Sequence, residues 1–238
     1  MEGKALREKE CTNSYLFYIL VWGALWGIFE STVGYLLHLM SYSISWLVWF
    51  PVACFFMANV YRKTRQVHTV VLVGFLCSSI KLFNLLLPGR IDKVINPSIS
   101  IVFEAAAMAL VMVSYRYITN KMPQKLAQKV LVAFLINTTW RLFFLAYLLW
   151  IVPDWIRDVS VIANVDKLIK FMVTQNLITS FIVGVGYYWK NSIFRPIAYC
   201  EKQIASFSYH IPQRLQPIIK AATVCLLMGI TVSLQIML

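Results

Sequence analysis

Seven apolar runs separated by polar connections set the pattern of this chain: 15–40, 44–60, 67–87, 98–118, 130–152, 168–189 and 218–238. A helix of about twenty mostly apolar residues, rising 1.5 Å per residue, crosses the roughly 30 Å hydrocarbon core of a bilayer. The pattern therefore predicts an all-α polytopic membrane protein, one membrane domain built as a bundle of six to seven transmembrane helices. Within the runs the polar positions are few and deep. The first, YLFYILVWGALWGIFESTVGYLLHLM, carries Glu30 well inside the span. An ionised acid there costs at least about 3 kcal/mol, so it persists only with a partner or a wet cavity. Gly23, Gly27, Glu30 and Gly34 follow at spacings that place small residues and the acid on one stripe, where other helices come close.

Three later charges lie comparably deep: Lys81 in the third run, Glu104 on the second turn of the fourth, and Arg141 in the fifth. Amide and aromatic side chains accompany them: Asn84 after Lys81, Asn137 and Trp140 before Arg141, and Gln175 with Asn176 on the polar stripe of the sixth run. Two acids facing two bases at similar depth predict a polar cavity opening outward. Its candidate substrate-binding residues are Glu30, Lys81, Asn84, Glu104, Asn137, Trp140, Arg141, Gln175 and Asn176, and both signs of charge beside amides suit a small zwitterionic or amide-rich solute. Punctuation adds detail. Pro88-Gly89 closes the third run, Pro97 suits the opening turn of the fourth with Ser98 as its cap, and 190–216 reads as a basic amphipathic connection at the headgroups, with a helix beginning near Pro196.

Composition narrows the class. With 60% hydrophobic and 13% charged residues and a mean hydropathy of +0.69, the chain is not a soluble globule. The formal charge of +12 does not point to nucleic acid, because Lys and Arg sit between the apolar runs. They gather in the amino terminus, at Arg62, Lys63 and Arg65, at Arg116, Lys121, Lys125 and Lys129, and at Lys190, Arg195, Lys202, Arg214 and Lys220. The alternate connections are poorer, so the positive-inside rule puts the amino terminus in the cytoplasm of a multi-pass cell-membrane protein. Five scattered cysteines read as small hydrophobes. No phosphate-binding glycine loop is present, so the chain has no ATPase of its own. His38, His68 and His210 stand far apart, and Asp154 with Asp158 lacks a second acidic cluster, so neither a metal nor another cofactor is expected.

The small-residue stripe Gly23, Ala24, Gly27, the run FPVACFFMANVYRKT (50–64) and NPSISIVFEA (96–105) give the chain a likeness to a known family. Over roughly residues 15 to 190 it resembles the substrate-binding S components of energy-coupling-factor (ECF) transporters. The resemblance implies a vitamin- or micronutrient-binding subunit. It also implies that Gly23, Ala24 and Gly27 dock against a membrane-embedded T component coupled to two cytoplasmic ATPases. Glycines replace the family's alanine-x-x-x-alanine form, the first outer loop at 41–45 is short, and a seventh run is added. The residues themselves leave two other readings open. One is a membrane-embedded enzyme acting on a lipid or isoprenoid, with Glu30 or Glu104 as general base. The other is a scaffold whose buried charges only hold helices together, with 190–216 recruiting a partner or anionic lipid.

Overall fold

The computed structural model describes residues 2–39, 45–86, 91–118, 125–209 and 211–237, and every regular element among them is helical. The elements are α1 (Glu2–Leu39), α2 (Trp46–Thr64), α3 (His68–Leu82), a 3-10 turn (Phe83–Leu86), α4 (Asp92–Ile118) and α5 (Leu126–Trp150). Two short helices follow, α6 (Asp154–Arg157) and α7 (Val165–Ile169); α7 runs through a π-helical stretch (Lys170–Gln175) into α8 (Asn176–Tyr188). The chain ends with α9 (Lys190–Tyr209) and α10 (Gln216–Met237). The loop at 41–44, the Pro88-Gly89 break, Lys121, Pro123 and His210 lie outside the described residues, as do the side chains of Cys11, His38 and Arg116.

Six stretches are long and apolar enough to cross a membrane: Tyr15–Gly34, His68–Leu86, Asp92–Ser114, Leu126–Trp150, Val165–Tyr188 and Gln216–Met237. The chain is thus a multi-pass membrane protein. The second apolar run is the exception. Its helix, α2, carries Pro51, Asn59, Arg62 and Lys63 and falls short of the others in hydropathy. Packing explains why that is tolerated. α1, α3, α4, α5 and α8 follow one another as an arc, and α2 fills its concave side, packed on α1, α3, α4 and α8. A helix sheathed by protein need not present an apolar face to lipid. Nine of its nineteen residues are buried, including Phe50, Met57 and Val60. The outer faces of the arc carry exposed Leu72, Phe75, Leu110, Leu131, Leu135 and Phe181, as lipid contact requires.

Close approach within the arc depends on small residues. A Cβ on Gly74 would collide with that of Ala105, and one on Gly184 would fall 2.6 Å from the Cα of Val130. These two glycines let α3 meet α4 and α8 meet α5 at backbone distance.

The structure corrects two boundaries. α4 begins at Asp92, six residues before the expected start, so Pro97 lies inside the helix, and Ser98 donates to the Val94 carbonyl (2.7 Å) instead of capping. Pro97, the sixth residue of the helix, has no N–H for the Lys93 carbonyl, while Asp92 in the first turn complements the helix dipole. Likewise α9 starts at Lys190 and continues through Pro196. Its anchor to the body is Glu201, which accepts from Arg62 (2.9 Å) and Lys63 (2.6 Å), while Phe194 stacks on Phe55 at 5.9 Å between centroids. Most of its remaining surface is exposed.

Candidate functional site

Helix direction brings the deep charges to one end of the bundle. The carboxyl-terminal part of α1, the start of α2, the end of α3, the amino-terminal half of α4 and the later half of α5 all lie at the end opposite the amino terminus. They enclose a cavity of about 250 Å³ lined by Glu30, Trp49, Lys81, Asn96, Pro97, Ser100, Ile101, Glu104, Trp140 and Phe144. Ten lining residues thus come from five helices.

Glu30 and Lys81 meet there. The Lys81 ammonium donates to Glu30 Oε2 at 2.5 Å, with both residues more than nine-tenths buried, and lies 5.6 Å from the Trp49 ring centroid. The pair resolves the puzzle of a carboxylate inside α1: its charge is answered from α3, 51 positions on. Burying such a pair is costly in desolvation, and removing one partner costs more than the pair itself contributes.

Glu104 has a different position. It is 6% exposed and faces the cavity, yet among the described residues no hydrogen bond or ion pair engages its carboxylate. Glu30, Lys81 and Arg141 are within electrostatic reach. With α4 starting at Asp92, Glu104 lies 104 − 92 = 12 residues on, roughly 18 Å along the axis at 1.5 Å per residue and well below the second turn that the sequence predicts. The longer helix also puts Asn96, Ser100 and Glu104 on one stripe at a spacing of four.

Arg141 is held away from the cavity wall. It donates from Nε to Asn137 Oδ1 (3.1 Å) and from Nη1 to the Phe171 carbonyl (2.6 Å), and its guanidinium lies 4.3 Å from the Phe171 ring centroid. Phe171 belongs to the π-helical stretch, whose altered backbone pairing brings a carbonyl to this cation. Asn137 is the hub behind it. Its Nδ2, with two hydrogens to donate, lies within hydrogen-bond distance of the Asn176 carbonyl (3.1 Å), Thr179 Oγ1 (2.6 Å) and Ser180 Oγ (3.0 Å), and its Oδ1 also accepts from Trp140 Nε1 (2.7 Å). Asn176 Nδ2 donates to Thr138 Oγ1 (2.8 Å). This network clamps α5 to α8 and fixes the Trp140 ring that walls the cavity.

Of the nine candidate substrate-binding residues, Glu30, Lys81, Glu104 and Trp140 line the cavity, and Asn137, Arg141 and Asn176 stand behind it. Asn84 and Gln175 are elsewhere. Asn84 lies in the 3-10 turn with its Oδ1 unpartnered among the described residues, and Gln175 is half-buried on the π-helical stretch. The sequence reading missed Trp49, Asn96, Ser100 and Phe144. For Asn96 and Ser100 the four-residue spacing to Glu104 was the available signal, hidden by starting the helix at Ser98.

The docking stripe Gly23, Ala24 and Gly27 turns inward. Ala24 is fully buried and its carbonyl accepts from Thr231 Oγ1 of α10 (3.1 Å). A Cβ on Gly27 would lie 2.5 Å from Thr231 Cγ2, and one on Gly23 2.6 Å from Leu76 of α3. The chain's own α3 and α10 occupy the surface that the resemblance reserves for a partner. Asp154 is engaged by Arg157 at 2.9 Å. Compared with protein-family models, curated proteins and solved structures, the chain matches none.

Proposed function

We propose that the chain is the solute-binding subunit of a membrane transporter, with its site in the cavity among α1 to α5, facing the outside of the cell. The observation that carries this reading is Glu104: a buried carboxylate on a cavity wall with no protein partner among the described residues. Buried polar groups are as a rule hydrogen-bonded, and an exception facing a space is where a ligand completes the pairing. The basic connections support the orientation, since Arg62, Lys63 and the residues of α9 lie at the end opposite the cavity. Energy would come from outside the chain, through a T-like membrane protein and cytoplasmic ATPases as in the ECF transporters it resembles. With α1's small-residue stripe covered, such a partner would dock on another face. The exposed basic residues of α9, Lys190, Arg195 and Lys202, suit anionic headgroups at the cytoplasmic surface.

One observation favours the scaffold reading for part of the polar set: the Glu30–Lys81 pair and the Asn137 network are satisfied within the protein and hold helices in register. Glu104 is what that reading leaves unexplained. Full-length protein in detergent, titrated with a panel of small polar solutes and vitamins and followed by thermal shift and calorimetry, is expected to show saturable binding. Glu104→Ala should weaken it at least tenfold at unchanged helicity. A natively helical wild type that binds no member of the panel would end the proposal.

A further inference from the structure

We infer that the occupant of this cavity is a small organic cation, an ammonium compound with apolar substituents; the inference rests on the solute-binding reading above. The charges on the wall decide it. Glu30 and Lys81 cancel each other in direct contact, so neither sign of that pair is left for a ligand. Arg141 acts on Glu104 only at a distance: it does not line the cavity, and it donates from Nε and Nη1 to Asn137 and the Phe171 carbonyl behind the wall. What remains facing the space is the carboxylate of Glu104. A zwitterion needs a free cation as well as a free anion on the wall, and among the described lining residues the only cation is already engaged. An anion would meet Glu104 with like charge, and a neutral molecule offers it hydrogen bonds but no counter-charge.

The cavity already contains an example of the chemistry. The Lys81 ammonium is clasped between a carboxylate, Glu30, and an indole, Trp49. Glu104 is the second carboxylate on the wall, which Phe144 and Trp140 also line, the Trp140 ring with the Arg141 guanidinium 4.9 Å from its centroid; among the described residues no ammonium pairs with Glu104. Carboxylate plus aromatic ring is the combination that binds cationic nitrogen, the one by charge and the other by its quadrupole. Size sets the limit: about 250 Å³ is the share of roughly eight water molecules at about 30 Å³ each and lies below the usual range of drug-sized pockets. That suits amines of the size of choline or benzylamine.

The test uses full-length protein in nanodiscs, read by calorimetry and by the fluorescence of the lining tryptophans. The probes are choline beside its uncharged isostere 3,3-dimethylbutan-1-ol, benzylamine beside benzyl alcohol, and glycine betaine and benzoate as zwitterion and anion. At least one ammonium compound is expected to bind saturably and at least tenfold more tightly than its isostere. Glu104→Gln should erase that preference while leaving helicity intact; should that variant not fold, the isostere comparison on the wild type decides by itself. An alcohol, betaine or benzoate binding as tightly as the ammonium compounds overturns the cation assignment and leaves solute binding standing. Retention of the preference in Glu104→Gln removes Glu104 as the recognising group. Absence of saturable binding by all six probes overturns the cation assignment, and the solute and vitamin panel then decides solute binding separately.

Discussion

At the scale of single residues, the energetics turn on which buried charges have partners. Glu30 and Lys81 do, at 2.5 Å and with little access to water. Lys81→Met leaves the Glu30 carboxylate buried alone and should destabilise the protein by about 3–5 kcal/mol, whereas Glu30→Leu combined with Lys81→Met should recover most of that loss. Denaturant unfolding in detergent measures both. Equal stability of Lys81→Met and wild type would mean that the pair is not buried as described. The sequence marked all four deep charges, because ionisable residues inside apolar runs are conspicuous. It did not reveal that they would divide into a closed pair, a cation facing backward and a lone acid. That division depends on where α4 starts and which way the Arg141 side chain turns, and neither is a property of hydropathy.

At the scale of elements, glycine has two different roles here. A Cβ on Gly184 would lie 2.6 Å from the Val130 backbone, while one on Gly229 of α10 would meet nothing within 4 Å. Gly229→Ala should therefore stabilise slightly, by about 0.5–1 kcal/mol, through the better helix propensity of alanine. Gly184→Ala should cost about 1–3 kcal/mol net, because α8 must move off α5 to admit the methyl. Melting temperatures of the two variants, measured side by side, separate packing from propensity; similar shifts would contradict the close α5–α8 crossing. All six spans were legible as apolar runs of suitable length, and a seventh run, 44–60, is instead the protein-sheathed α2. The π-helical stretch at 170–175, which aims the Phe171 carbonyl at Arg141, left no mark on the pattern.

For the whole molecule, the orientation that follows from the basic connections puts α9 in the cytoplasm. Cys200 on α9 is exposed, whereas Cys54 and Cys77 are buried. A membrane-impermeant maleimide should leave Cys200 unmodified in intact cells and label it after permeabilisation, as read by peptide mass spectrometry. Labelling in intact cells would invert the topology and place the cavity inward. By itself, the sequence determined that the chain is a helical membrane protein, where its spans lie and which charges are buried, because hydropathy acts on each segment alone in lipid. Tertiary structure decided that α2 fills the arc, that α10 covers the glycine stripe of α1, and that Glu104 is left facing a cavity. Those outcomes arise between segments, where close packing and hydrogen-bond satisfaction choose among arrangements that hydropathy treats as equal.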